Sequence, residues 1–110
     1  MEPNLPLLEI ANIIRDDHVQ LPSNVSISQG AGFPHGARIK VQTNRGRSVQ
    51  PENMVSITIS KNPKVLGDIG ELTTADLSYF RAFVLRNREV LLAYWKGSMQ
   101  IEQVLHRLRY

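Results

Sequence analysis

The sequence predicts an α+β domain. Three segments within residues 24–66 alternate apolar and polar residues, which is typical of strands, whereas apolar residues recur at helical spacing within residues 1–18 and 73–110. The 110 residues are a common single-domain length, so we expect one domain over 1–110. An N-terminal helix, a small antiparallel sheet of three to four strands and two C-terminal helices should pack on one sheet face.

The first predicted element is an amphipathic helix near the N-terminus. Leu7, Ile10, Ile13 and Ile14 recur at helical spacing, which places them on one stripe. Pro6 suits the first helical turn, where a backbone N–H has no partner within the helix. We therefore expect a helix within residues 1–18.

The middle of the chain is predicted to form the sheet. Ile39 and Val41 should lie on one face of a strand. Arg38, Lys40 and Gln42 should lie on its other face, in solvent, because an antiparallel sheet is commonly covered on one side only. The alternating segments are 24–28, 37–43 and 54–60, with a short edge piece at 64–67.

The C-terminal third is predicted to form two helices. Residues 73–76, Thr-Thr-Ala-Asp, supply capping hydroxyls and an acidic group for a helix over 75–96 that stops at Gly97. Ser98 is expected to cap a last helix within 98–109. The predicted core consists of sixteen residues: Ile10, Ile14, Ile27, Ile39, Val41, Val55, Ile57, Ile59, Leu77, Phe80, Val84, Leu91, Trp95, Ile101, Val104 and Leu108.

Composition argues against several functional classes. The chain has no cysteine, and His18, His35 and His106 are widely spaced, so we expect no metal site. No glycine-rich phosphate loop or nucleophile elbow is present, and we expect no cofactor. The apolar runs are short and the N-terminus has no basic region before an apolar stretch, which predicts a cytoplasmic protein without a membrane partner.

Positive charge is concentrated in the middle of the sequence. The formal net charge is +3, and counting by segment gives −3 over 1–34, +5 over 35–64 and +1 over 65–110. A basic segment of this kind can contact the backbone phosphates of a nucleic acid. The residues predicted to bind phosphate are Arg38, Lys40, Arg45 and Arg47.

A metal-free ribonuclease is an alternative that the same segment suggests. Such an enzyme needs an acid, a base and cations that stabilise the phosphorane. His35 is the candidate acid or base, and Arg38 and Lys40 are the candidate cations. Glu52 is the nearest carboxylate, and Tyr110 is a further candidate of a type that small nucleases use.

Two stretches resemble a known family. Residues 77–95, LSYFRAFVLRNREVLLAYW, resemble the WxxxNREELLxxW helix of small bacterial domains of unknown function that are often encoded beside toxin–antitoxin-type partners. Pro34-His35-Gly36-Ala37 resembles their PHxH segment, with Ala37 in place of the second histidine. The resemblance spans residues 33–96, and its most specific residues are Asn87, Arg88, Glu89 and Trp95.

These observations lead to one main hypothesis and two alternatives. The main hypothesis is a small bacterial, toxin–antitoxin-like, non-enzymatic module that binds a protein partner or forms a homodimer. The first alternative is the ribonuclease centred on His35 and Arg38. The second is a nucleic-acid backbone binder that uses the basic segment 35–64.

Overall fold

The structure, a computed structural model, describes residues 21–30, 36–44 and 52–109. These residues form a four-stranded antiparallel sheet followed by three helices, which confirms the predicted α+β class. The N-terminal helix predicted within residues 1–18 lies outside the described residues.

The four strands follow one another across the sheet in chain order. Each strand is hydrogen-bonded to the next in antiparallel fashion. Val41 is central, because it pairs with Val25 on one side and with Val55 on the other, while Ile39 pairs with Ile57. The predicted apolar face of the sheet and the predicted edge strand are therefore confirmed. The strands are β1 (Val25–Ser26), β2 (Arg38–Gln42), β3 (Met54–Thr58) and β4 (Val65–Leu66).

The prediction for Gln42 is wrong, because this side chain is fully buried. The Asn24 Nδ2 group donates to Gln42 Oε1 at 3.4 Å, and Gln42 Nε2 donates to the Asn44 carbonyl at 3.2 Å. The Ser23 hydroxyl donates to the Gln42 carbonyl at 2.8 Å. A buried amide is stable only with hydrogen-bond partners. Asn24, before β1, supplies one partner of the Gln42 side chain, and Asn44, after β2, supplies the other.

The C-terminal part contains three helices where two were predicted. The helix expected over 75–96 is interrupted at Asn87, whose φ of −114° and ψ of 17° are not helical. The expected cap is confirmed, since the Thr73 hydroxyl accepts from Asp76 N–H and the Asp76 carboxylate accepts from Thr73 N–H. The helices are α1 (Thr74–Arg86), α2 (Arg88–Trp95) and α3 (Ile101–Arg107).

The connection between α2 and α3 differs in part from the prediction. Gly97 has a φ of 81°, so it ends α2 in the left-handed conformation that was expected of it. Ser98 does not cap α3, because its hydroxyl donates to the Ala93 carbonyl of α2 at 3.0 Å. The start of α3 is instead capped by the Gln103 side chain, whose Oε1 accepts from the Gln100 N–H at 3.1 Å, while the Gln103 N–H donates to the Gln100 carbonyl at 3.0 Å.

The core joins one face of the sheet to all three helices. Of the sixteen residues predicted to form it, eleven are buried. Leu77, Trp95 and Ile101 are half-buried, and Ile10 and Ile14 lie outside the described residues. Five further buried apolar residues complete the core: Leu21, Val25, Leu72, Phe83 and Tyr94.

Trp95, at the end of α2, contacts Gly30 in the chain segment after β1. The Gly30 N–H donates to the Trp95 carbonyl at 2.9 Å. A Cβ atom at position 30 would overlap the indole ring of Trp95. Only glycine therefore allows this close approach of backbone to ring.

Candidate functional site

An open groove of about 700 Å³ lies where the ends of the three helices meet. The last residues of α1, the first turn of α2 and the end of α3 surround it. Its lining residues are Leu85, Arg86, Asn87, Arg88, Glu89, Val90, His106, Arg107, Leu108 and Arg109.

The groove carries a marked excess of positive charge. Four of its ten lining residues are arginines, and Glu89 is the single acid among them. Four positive charges against one negative charge leave an excess of three with His106 neutral. We refer to Arg86, Arg88, Arg107 and Arg109 as the arginine cluster.

The guanidinium groups of the arginine cluster have no partner among the described residues. Arg86, Arg107 and Arg109 are exposed and Arg88 is half-buried. Within the described part of the chain, no carboxylate forms an ion pair with any of the four, and no hydrogen bond engages their guanidinium groups. Each guanidinium carries five donor N–H groups that can bind an anion.

Asn87 holds the two sides of the groove together. Its Nδ2 group donates to the Phe83 carbonyl at 2.9 Å and to the Arg109 carbonyl at 2.8 Å. Its Oδ1 atom accepts from the Arg109 N–H at 2.7 Å. We call these three hydrogen bonds the Asn87 clasp. Asn87 is 2% exposed, whereas Arg109 is exposed, so the clasp is buried on the Asn87 side and fixes residue 109 beside the junction of α1 and α2.

Helix dipoles account for part of the arginine cluster. Arg86 lies in the last turn of α1 and Arg107 in the last turn of α3, where a cation interacts favourably with the negative helix end. Arg88 is the first residue of α2 and meets the positive end instead. Because Asn87 makes no side-chain cap to α2, the first-turn N–H groups also add positive potential. Position 88 also directly follows the C-cap of α1, whose negative end offsets part of this potential, so the helix dipoles give little net reason for a cation there.

The residues predicted from the basic segment do not meet at this groove. Arg38 is half-buried on β2, where its Nε donates to the Gly36 carbonyl and its Nη1 to the Ser56 hydroxyl, both at 3.4 Å. Lys40 is exposed on the same face of β2, opposite Ser56. Neither residue lines the groove. His35, Arg45 and Arg47, along with Tyr110, lie outside the described residues.

The residues of the family-like helix separate into two groups. Asn87, Arg88 and Glu89 line the groove. Trp95 lies at the far end of α2, against Gly30. Arg86, His106, Arg107 and Arg109 were not predicted as site residues, although the spacings Arg-x-Arg at 86–88 and at 107–109 are visible in the sequence.

Two structural features bear on metal binding and on membrane insertion. Residues 21–30, 36–44 and 52–109 contain no group of three or more His, Asp or Glu side chains placed to hold a metal ion. Over the same residues, no helix combines the length and apolar character that crossing a membrane requires.

Comparison with known proteins assigns no relative to this chain. No family model, no curated protein and no solved structure matches it.

Proposed function

We propose that this protein is a non-enzymatic binding module that holds a nucleic acid by its backbone phosphates in the groove. The observation that carries the proposal is the arginine cluster, with four guanidinium groups around one concavity and no ion-pair partner in the described chain. Arginine is suited to this task because its planar fork binds phosphate through two parallel hydrogen bonds.

The position of Arg88 at the start of α2 supports a functional reason for the arginine cluster. A cation at a helix N-terminus opposes the helix dipole by a few tenths of a kcal/mol or more. A bound phosphate beside Arg88 and the first-turn N–H groups of α2 reverses that balance, since an anion is favoured at the same position. The proposal moves the nucleic-acid contact predicted for segment 35–64 to the ends of the helices.

The direct test is binding of labelled RNA and DNA oligonucleotides, measured by fluorescence anisotropy between 50 and 200 mM NaCl. Two to three phosphate contacts predict that affinity falls about 7- to 20-fold for a single strand, and about 12- to 40-fold for a duplex, over this fourfold salt range. We expect R88A/R107A to weaken binding about tenfold or more at low salt and to flatten the salt dependence. Absence of binding up to about 100 µM protein, the weak end of nonspecific association, contradicts the proposal.

Two matched double variants locate the contact. R81A/K96A removes the same charge from exposed positions on α1 and after α2 that do not line the groove. We expect a much smaller loss of affinity from it. R38A/K40A tests the original basic segment, and a loss confined to that variant places the contact on the sheet instead.

The protein partner, the homodimer and the ribonuclease activity stay predictions, and each has its own test. An acidic protein surface offers carboxylates to the same arginine cluster, so polyglutamate serves as a competitor. Displacement of the oligonucleotide by polyglutamate at equal charge concentration favours the predicted protein partner over a nucleic acid. Light scattering of the free protein tests the predicted homodimer. The predicted ribonuclease is tested by RNA cleavage in chelator with His35→Ala.

A further inference from the structure

The groove is small relative to a double helix. Its volume of about 700 Å³ equals that of a cube about 9 Å on a side, and this is the size class of pockets that hold a drug-sized molecule. The major groove of B-form DNA alone is about 12 Å wide, so a duplex is too broad to enter. One or two nucleotides of an extended strand are of the size that the groove can hold.

The walls of the groove are apolar as well as basic. Leu85 is 49% exposed, although it is a large apolar residue, and Val90 and Leu108 also line the groove. A duplex presents phosphates and hides the faces of its bases. A single strand presents phosphates together with base faces, which stack on guanidinium planes and contact apolar side chains.

The elements around the groove are also not arranged as a duplex reader. Proteins that read a duplex insert a convex element, a helix or a two-stranded ribbon, into its major groove. Here the arginine cluster surrounds a concavity formed by helix ends, and α3 has only seven residues. A concave site favours a ligand that is narrow enough to enter it.

We infer that the groove takes an extended single strand of nucleic acid, with its phosphates on the arginine cluster and a base face against Leu85. This inference rests on the proposed function and names the form of nucleic acid that the same site takes. Single-stranded RNA and single-stranded DNA both present phosphates and base faces, and the experiment tests them separately.

The test compares strands with the duplex of identical sequence. Labelled 12-nucleotide RNA and DNA strands and the corresponding blunt duplexes are titrated with the intact protein at one salt concentration. Electrostatics alone favours the duplex, because its charge density is higher and each phosphate contact releases more counterion. A single strand that binds about five- to tenfold more tightly than its duplex therefore supports the inference.

Leu85 has a matched control in Leu105. Both are large apolar residues, 49% and 42% exposed, but Leu105 does not line the groove. We expect L85A to weaken single-strand binding about three- to tenfold, less than the loss of a full aromatic stacking partner. L105A should leave single-strand binding unchanged, and circular dichroism confirms that both variants are folded.

The outcomes separate this inference from the proposed function. A duplex that binds as tightly as the strand, or more tightly, overturns the inference and leaves the proposed function in place. Equal effects of L85A and L105A also overturn it, because the apolar wall then has no part in binding. Failure of every oligonucleotide to bind overturns both proposals.

Discussion

Replacing Asn87 by alanine should unfold the end of the structure that forms the groove. The change removes the Asn87 clasp, which consists of three hydrogen bonds of 2.7 to 2.9 Å made by one buried side chain. A net contribution of about 0.5–1.5 kcal/mol per bond gives about 1.5–4.5 kcal/mol in total. Arg109 is exposed, so water replaces part of this loss, and we expect a destabilisation of about 2–3 kcal/mol.

The assay is urea unfolding followed by circular dichroism and by the fluorescence of Trp95, the single tryptophan. In a domain of this size, 2–3 kcal/mol corresponds to a fall in Tm of about 10–20 °C. The control is S98A, which removes the exposed hydrogen bond from Ser98 to the Ala93 carbonyl and should cost no more than about 0.5 kcal/mol. An N87A variant as stable as S98A would refute the reasoning.

A double-mutant cycle separates the two sides of the Asn87 clasp. Truncation after Leu108 removes the Arg109 backbone and leaves only the hydrogen bond from Asn87 to Phe83. In that background N87A should cost about 1 kcal/mol, so the two changes couple by about 1–2 kcal/mol. An equal cost in both backgrounds shows that Arg109 is not the energetically important partner.

Two further predictions concern contacts within the fold. We expect G30A to lower the free energy of unfolding by about 1–3 kcal/mol and to shift the fluorescence of Trp95, because the new methyl group overlaps the indole ring. G36A is the control, since a Cβ at that position meets no described atom. We expect T73A to lower stability by about 1 kcal/mol in the same urea assay, through loss of the helix cap. T74A, which removes an exposed hydroxyl from the first residue of α1, should cost distinctly less, and an equal cost contradicts the role of the cap.

The elements that depend on local pattern were predictable from the sequence. Alternation of apolar and polar residues located β2 and β3, because the period of two is imposed by the pleat itself. The Thr73 cap and the Gly97 stop were equally visible, since each uses groups within a few residues of the helix end. Burial of eleven of the predicted core residues follows from the same periodicity.

The features that depend on distant contacts were not predictable. In the sequence, Asn87 has the position of a polar residue in the middle of one long helix. Its hydrogen-bond partner Arg109 is 22 residues away, so the local pattern does not reveal the pairing. Without knowledge of that pairing, nothing in the local sequence requires α1 to end at Arg86. Gln42 is a similar case, because the partner of its side-chain oxygen, Asn24, lies 18 residues earlier.

A count of charge along the chain directs attention to residues 35–64 and not to the groove. Over 65–110 the balance is only +1, since five acids, at 68, 71, 76, 89 and 102, offset six basic residues in the count. Glu89 lines the groove, but the acids at 68, 71 and 76 lie before α1 or in its first turn, and at 1.5 Å per residue Asp76 is about 15 Å along the helix from Arg86. That distance exceeds the Debye length at physiological salt, about 8 Å, so Asp76 does not neutralise the groove.

The arginine cluster and the Asn87 clasp act against each other in the free protein. Two like charges about 9 Å apart in water repel by about 0.5 kcal/mol, so several guanidinium groups around one groove oppose its assembly. The Asn87 clasp holds Arg109 in place against that repulsion through hydrogen bonds that carry no charge of their own. The favourable positions of Arg86 and Arg107 at helix ends offset part of that repulsion. Under the proposed function, a bound phosphate removes what is left of it, so an anionic ligand should raise the stability of the folded protein.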